Sequence, residues 1–134
     1  MSRKSPVAAA CPCGSGLAYT LCCQPFHGMS AFPPTAEALM RSRYSAFALK
    51  HAEYLRFSWH PDTCPESLDL DDEPLKWLGL TIVSTDKGLA GDLEGRVEFV
   101  ARYKAGGRAG RLAEKSRFVR FDGRWVYLDG EVNA

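Results

Sequence analysis

Residues 11–23 read CPCGSGLAYTLCC and hold four of the chain's five cysteines. Their spacing is Cys-x-Cys-x8-Cys-Cys, from Cys11, Cys13, Cys22 and Cys23. A zinc ion takes four soft donors at tetrahedral corners, and two close pairs joined by a short loop bring four sulfurs together. Gly14 and Gly16 let the backbone turn tightly behind the first pair. Ser15 serves as a turn or cap residue, and LAYTL fits one helical turn leading into Cys22. Residues 1–34 are rich in Cys, Pro and Gly and show neither helical nor strand period. Such a segment has almost no core of its own, and a chelated ion would give it shape. Four thiolates leave no open coordination position, so the ion is expected to be structural.

Two other readings of the thiols stand beside zinc: a redox site and inert side chains. Adjacent cysteines such as Cys22 and Cys23 rarely bond each other, because the geometry is strained. His27, four residues on, is a spare donor that can replace Cys23, since His and Cys interchange in such sites. Cys64, far from the cluster, reads as an ordinary buried or half-buried thiol.

Compartment decides between metal and disulfide. A chain of 134 residues, 46% hydrophobic and 25% charged, is a soluble globular composition that folds without disulfides. No apolar run approaches the roughly 20 residues that span a bilayer. The basic start MSRK is followed only by a Val-Ala-Ala-Ala patch, too short for a secretory signal. The expected location is the cytoplasm, without membrane contact, where clustered thiols mean metal more often than disulfide.

The remainder divides at residue 34, with a zinc-binding segment and linker over 1–34 and an α+β domain over 35–134. Thr35 is a candidate N-cap after Pro33-Pro34. Ala36, Met40, Tyr44, Phe47, His51, Tyr54 and Leu55 recur at a spacing of three or four, which predicts helix to about His60, either continuous or divided in two near Lys50-His51. From Trp77 onward the pattern is strand-like. RVEFVARYK alternates apolar and charged residues, AGGRAG is a turn, and Asp122-Gly123 between RLAEKSRFVRF and RWVYLDG is a two-residue hairpin signal. Across that turn Phe121 faces Arg124, Phe118 faces Tyr127, Arg117 faces Leu128 and Ser116 faces Asp129. Paired residues share a face. Arg111, Lys115 and Arg117 mark the solvent side; Leu112, Glu114, Ser116, Phe118 and Tyr127 point toward the helices.

Helices followed by antiparallel strands fit α+β layering. The hairpin register then places Glu114, Ser116 and Asp129 on a pocket face, near Arg43 and Tyr44 of the helix and Trp59 and His60 at its end. Carboxylates, an arginine and a histidine beside aromatic walls suit a polar small molecule, or acid–base chemistry in a shielded site. The structural alternative is a buried Arg43–Glu114 ion pair, with Tyr44, Trp59, Trp77 and Trp125 as core. No nucleophile–base motif or phosphate-binding glycine loop occurs.

Charge is asymmetric. Residues 62–94 carry nine acids and two bases, residues 96–124 nine bases and three acids. The basic hairpin next to an acidic segment lacks an RNA-recognition motif, which argues against a nucleic-acid partner.

CPCGSGLAYTLCC resembles the SEC-C motif, the small zinc-binding tail of the bacterial translocase ATPase SecA. The resemblance implies ligands at Cys11, Cys13, Cys22 and Cys23. The lysines that flank the aromatic residue in the translocase tail, and go with its chaperone or ribosome contacts, are missing from LAYT. RSRYSAF, YLRFSWHP, WLGL, VEFVARY, EKSRF and RWVYLDG extend the resemblance over nearly the whole chain to the YchJ family. That family pairs a SEC-C motif with a domain similar to nuclear transport factor 2, a cone of curved antiparallel sheet closed by helices. Relatives are expected to carry a histidine where this chain has Ala113. The resemblance implies no biochemical role. The leading expectation is an interaction or adaptor module that docks a protein partner through its zinc knuckle. The alternative is a small-molecule-binding or enzymatic domain using the pocket of the cone.

Overall fold

The computed structural model describes residues 9–68 and 75–133. The basic start of the chain and the middle of the acidic segment, residues 69–74, lie outside the described residues. A 3-10 turn (Tyr19–Leu21) and α1 (Gln24–His27) follow the first cysteine pair; then come α2 (Ala36–Leu49), α3 (Ala52–Phe57) and four strands, β1 (Leu75–Lys87), β2 (Glu94–Ala105), β3 (Arg108–Phe121) and β4 (Arg124–Asn133).

Thr35 caps α2 as its sequence position suggests, its hydroxyl accepting from the Ala38 amide at 3.1 Å. Of the two readings of the helical segment the divided one holds: Lys50 adopts a left-handed conformation (φ 63°) and ends α2. His51 is the exposed N-cap position of α3 and not part of a buried stripe.

The strands form a plain antiparallel meander in the order β1-β2-β3-β4. Asp122 (φ 54°) and Gly123 (φ 81°) make the tight turn between β3 and β4. Gly106 and Gly107 make an equivalent turn before it, so β3 begins at Arg108, three residues earlier than the RLAEKSRFVRF pattern suggests. The register jumps at Leu78, Val83 and Leu128. Each jump is an extra residue on one strand, which bends that strand and increases its twist. The result is the curved sheet of a cone, with α2 across its concave face.

The core lies between α2 and that face. Leu39, Met40 and Tyr44 pack on Val97, Phe99 and Ala101 of β2, Phe118 of β3 and Trp125 of β4, whose indole donates to the Pro34 carbonyl at 3.2 Å. Cys11, Cys13 and Cys23 belong to the same buried cluster. The core therefore runs without a gap across residue 34. α2 is buried on two sides, with the sheet beneath and the cysteine segment and α3 above. That accounts for its small buried serines, Ser42 and Ser45, where an amphipathic surface helix would be polar and exposed.

Candidate functional site

Two neighbouring features carry chemistry, one on each side of α2. The first is the cysteine segment. Ala10 bridges Ala18 in antiparallel fashion, and the Cys11 amide donates to Leu17 O at 2.9 Å. This closes a loop whose positive-φ residues are Gly14 (81°) and Gly16 (89°), a backbone glycine adopts without a Cβ clash. The 3-10 turn then returns the chain so that Cys22 and Cys23 face Cys11 and Cys13.

The four sulfurs lie within 4.8 Å of one another. Cys13 Sγ is 3.6 Å from Cys22 Sγ, and Cys22 Sγ is 3.9 Å from Cys23 Sγ. All the cysteines are free, and these separations are far beyond the roughly 2.05 Å of a disulfide. They bracket the edge of about 3.8 Å that a sulfur tetrahedron has around zinc at a Zn–S length of about 2.3 Å. Ser15 Oγ lies 3.1 Å from Cys22 Sγ and Ser45 Oγ lies 3.3 Å from Cys11 Sγ, a polar surround for sulfur charge. Hydrogen bonding from Cys23 lowers the Cys13 pKa to about 4, while the same contact pushes the Cys23 thiol up. Packed so closely, the sulfurs cannot all ionise without a cation among them. The donor set fits a metal ion.

His27 is not part of that set. Its Nε2 donates to Ser42 O at 2.8 Å, and its Nδ1 accepts the Tyr19 hydroxyl at 2.6 Å. With both nitrogens engaged, it fastens the cysteine segment to α2 and leaves Cys23 in the cluster. Arg41 makes a second link, from Nη1 to Cys13 O at 2.9 Å.

The second feature is a cavity of about 380 Å³ between α2 and the sheet. Arg43, Tyr44, Trp59, Glu114 and Ser116 all line it, together with Trp77 and Tyr127, which were not among the expected site residues. Arg43 is only 3% exposed. Its guanidinium carbon sits 4.7 Å from the ring centroids of both Trp59 and Tyr127. Nη1 donates to Leu55 O at 3.0 Å and Ser58 Oγ at 2.7 Å. Burial lowers its pKa to about 10, so it stays charged at neutral pH. The Arg43–Glu114 ion pair of the structural alternative does not form. Glu114 Oε2 instead accepts from Ser116 Oγ at 2.7 Å and the Tyr127 hydroxyl at 3.2 Å. Burial, then the charge of Glu114, pushes the Tyr127 phenol up, so it remains a donor.

Two expectations are corrected. Asp129 does not reach the cavity. The extra residue Leu128 shifts β4 by one, so Asp129 faces Arg117 and Ser116 faces Gly130. Asp129 lies on the outer face, where its carboxylate takes two hydrogen bonds from Arg117, at 2.7 and 2.6 Å. His60 also lies outside the cavity. Its Nδ1 accepts the Asp62 amide at 3.1 Å, and its ring packs edge-on to Phe121. It is a turn group. Ala113 pairs with Val100 and Asn133 one residue from inward-facing Glu114, so that position also belongs to the outer face. The signal for Tyr127 was in the sequence, since it shares a face with Phe118 across the hairpin.

The pattern described as "YchJ, middle NTF2-like domain" matches residues 35–130. The chain belongs to the YchJ family. Its SEC-C motif covers residues 9–25, the loop that gathers the cysteines. Relatives named only as UPF0225 proteins include one from Chromobacterium violaceum, 52% identical over 98% of this chain and 99% of its own length. Another, from Deinococcus radiodurans, is 53% identical over 89% of this chain and 86% of its own. A solution structure of a SEC-C motif containing protein from Rhodopseudomonas palustris superposes with a TM-score of 0.80 at 34% identity, covering 92% of this chain and 98% of that one. A crystal structure of another, from Psychrobacter arcticus, gives 0.74 at 29% identity, covering 96% and 85%. Among the described residues no helix is long and apolar enough to cross a membrane.

Proposed function

We propose that this YchJ protein is a small-molecule-binding domain whose helical wall is fastened by a structural zinc ion. The observation that carries the binding reading is the cavity itself. It lies on the concave side of the sheet, walled by aromatic rings, with Arg43, Glu114 and Ser116 as its few charged and polar side chains. Ligand sites have that composition. Zinc is the metal the donor set favours, because four thiolates in a tetrahedral arrangement suit it and leave no position for substrate. The ion would act on the cavity only through α2, holding Ser42 and Ser45 from above while Met40 and Tyr44 face the cavity and core below.

A fragment screen by NMR tests the binding reading, with the indole N–H signals of Trp59 and Trp77 as reporters. Fragments that shift both support it. A broad screen in which none does so contradicts it.

The interaction module expected from the sequence is the second reading. It is supported by two leucines on the cysteine loop, Leu17 and Leu21, which are 52% and 75% exposed. It requires that Leu21→Asp abolish partner recovery in cells while leaving metal content and ligand binding unchanged.

A further inference from the structure

The cavity wall carries a buried cation whose nearby carboxylate, Glu114, supports its charge without touching it. Arg43 is a cation, almost wholly buried, and none of its contacts is to a carboxylate. Two acceptors satisfy Nη1; the remaining guanidinium N–H groups have no protein acceptor among the described residues. Stacking between Trp59 and Tyr127 favours the charge but does not neutralise it. A buried cation with no counter-ion in contact is costly to hold, and a ligand that brings an anion to it offsets that cost. Trp59 adds to this. Its ring lines the cavity, and its indole N–H is buried without a partner.

Glu114 supplies the opposite demand. Oε2 is taken by Ser116 and Tyr127, while Oε1 accepts nothing among the described residues. It calls for a donor. Tyr127 touches both groups, its ring against Arg43 and its hydroxyl on Glu114, and the rest of the lining is largely apolar, with Tyr44, Phe47, Trp77 and Phe99.

We infer that the cavity takes a small organic carboxylate with an apolar body and an O–H or N–H donor, the carboxylate meeting Arg43 and the donor meeting Glu114. This rests on the reading of the cavity as a ligand site and adds the class of ligand. A simple inorganic anion would leave the aromatic walls and Glu114 unused, and an apolar molecule would leave Arg43 without its counter-charge.

The test uses the full-length protein purified under reducing conditions. The probes are 3-phenyllactate and 2-hydroxy-4-methylpentanoate, each against its primary amide, followed through the Trp59 and Trp77 indole signals. The acids are expected to bind roughly tenfold or more tighter than the amides, the effect of one charge-assisted contact. Methylating the 2-hydroxyl should weaken binding several-fold. Arg43→Met should remove the preference for acid. Because Arg43 also holds Leu55 and Ser58, Arg43→Lys is made in parallel; it keeps the charge and should keep part of the preference even if the Met variant does not fold. Amides that bind as tightly as acids would overturn the inference and leave the ligand-site reading standing. If neither acids nor amides bind, the inference falls; if neutral fragments also fail to shift Trp59 and Trp77, the ligand-site reading falls with it.

Discussion

His27 donates from Nε2 to the Ser42 carbonyl at 2.8 Å, and so ties the cysteine loop to the middle of α2. A backbone carbonyl only accepts, so the ring proton sits on Nε2 and Nδ1 is left to receive the Tyr19 hydroxyl. The neutral tautomer is built into the packing, and the loop and the helix are one unit through it.

Replacing that residue separates structural support from ligation. His27→Ala leaves Ser42 O and the Tyr19 hydroxyl without their partner and opens a small void. The expected loss is about 2 kcal/mol, read as a fall in the urea midpoint. Metal content should stay at the wild-type level, because His27 is not a donor. Loss of the ion in this variant would return His27 to the ligand set.

Acid should weaken the same tie. Burial holds the His27 pKa below its ordinary 6.5. The folded state then binds fewer protons than the unfolded chain between the two values. The contribution is fully present above about pH 6.5 and is lost as pH falls through the folded pKa. A His27→Gln variant has nothing to titrate there, so its stability should decline less steeply between about pH 6.5 and pH 5 than that of the wild type. Parallel curves would contradict this.

Gly130 offers a way to move Glu114 without deleting it. A Cβ at that position would run into the Glu114 carboxylate, whose side chain is flexible and gives way. Gly130→Ala should therefore displace Glu114 from Ser116 and Tyr127 at a cost of about 1 kcal/mol. Binding of hydroxy acids should weaken several-fold, while binding of fragments without a donor is unchanged. Equal losses for both would show a general collapse of the cavity.

Asp129 serves as the control. Its pKa is lowered by the Arg117 hydrogen bonds, but both side chains are about half exposed and the pair is screened by water. Asp129→Asn should barely move the melting temperature and leave the affinity for cavity ligands unchanged. A clear loss of binding would place Asp129 at the cavity after all.

What was legible in the sequence was local. Thr35 caps α2 because one hydroxyl reaches one amide three residues on. Asp122-Gly123 turns because those two residues accept positive φ. The Leu128 bulge was not legible, because its cause is not local. The Tyr127 amide donates to Ser58 O, the His60 amide donates to Tyr127 O, and Asp129 is bonded to Arg117, so β4 is held from both sides in a register that skips one residue. A period-two pattern carries no mark of such a skip, and every residue beyond it changes face. The same holds for Arg43, whose partners Leu55 O and Ser58 Oγ depend on how α3 folds back.

Cys11, Cys13 and Cys23 share one core with Leu39, Met40 and Phe118, so an ion held by the cysteines would act past residue 34. Elemental analysis of protein purified under reducing conditions, without added metal, tests this most directly. One equivalent of zinc per chain is expected, and its removal by a chelator should lower the melting temperature of the whole domain. A metal-free chain that melts at the same temperature, with all five thiols open to a thiol reagent, would contradict it.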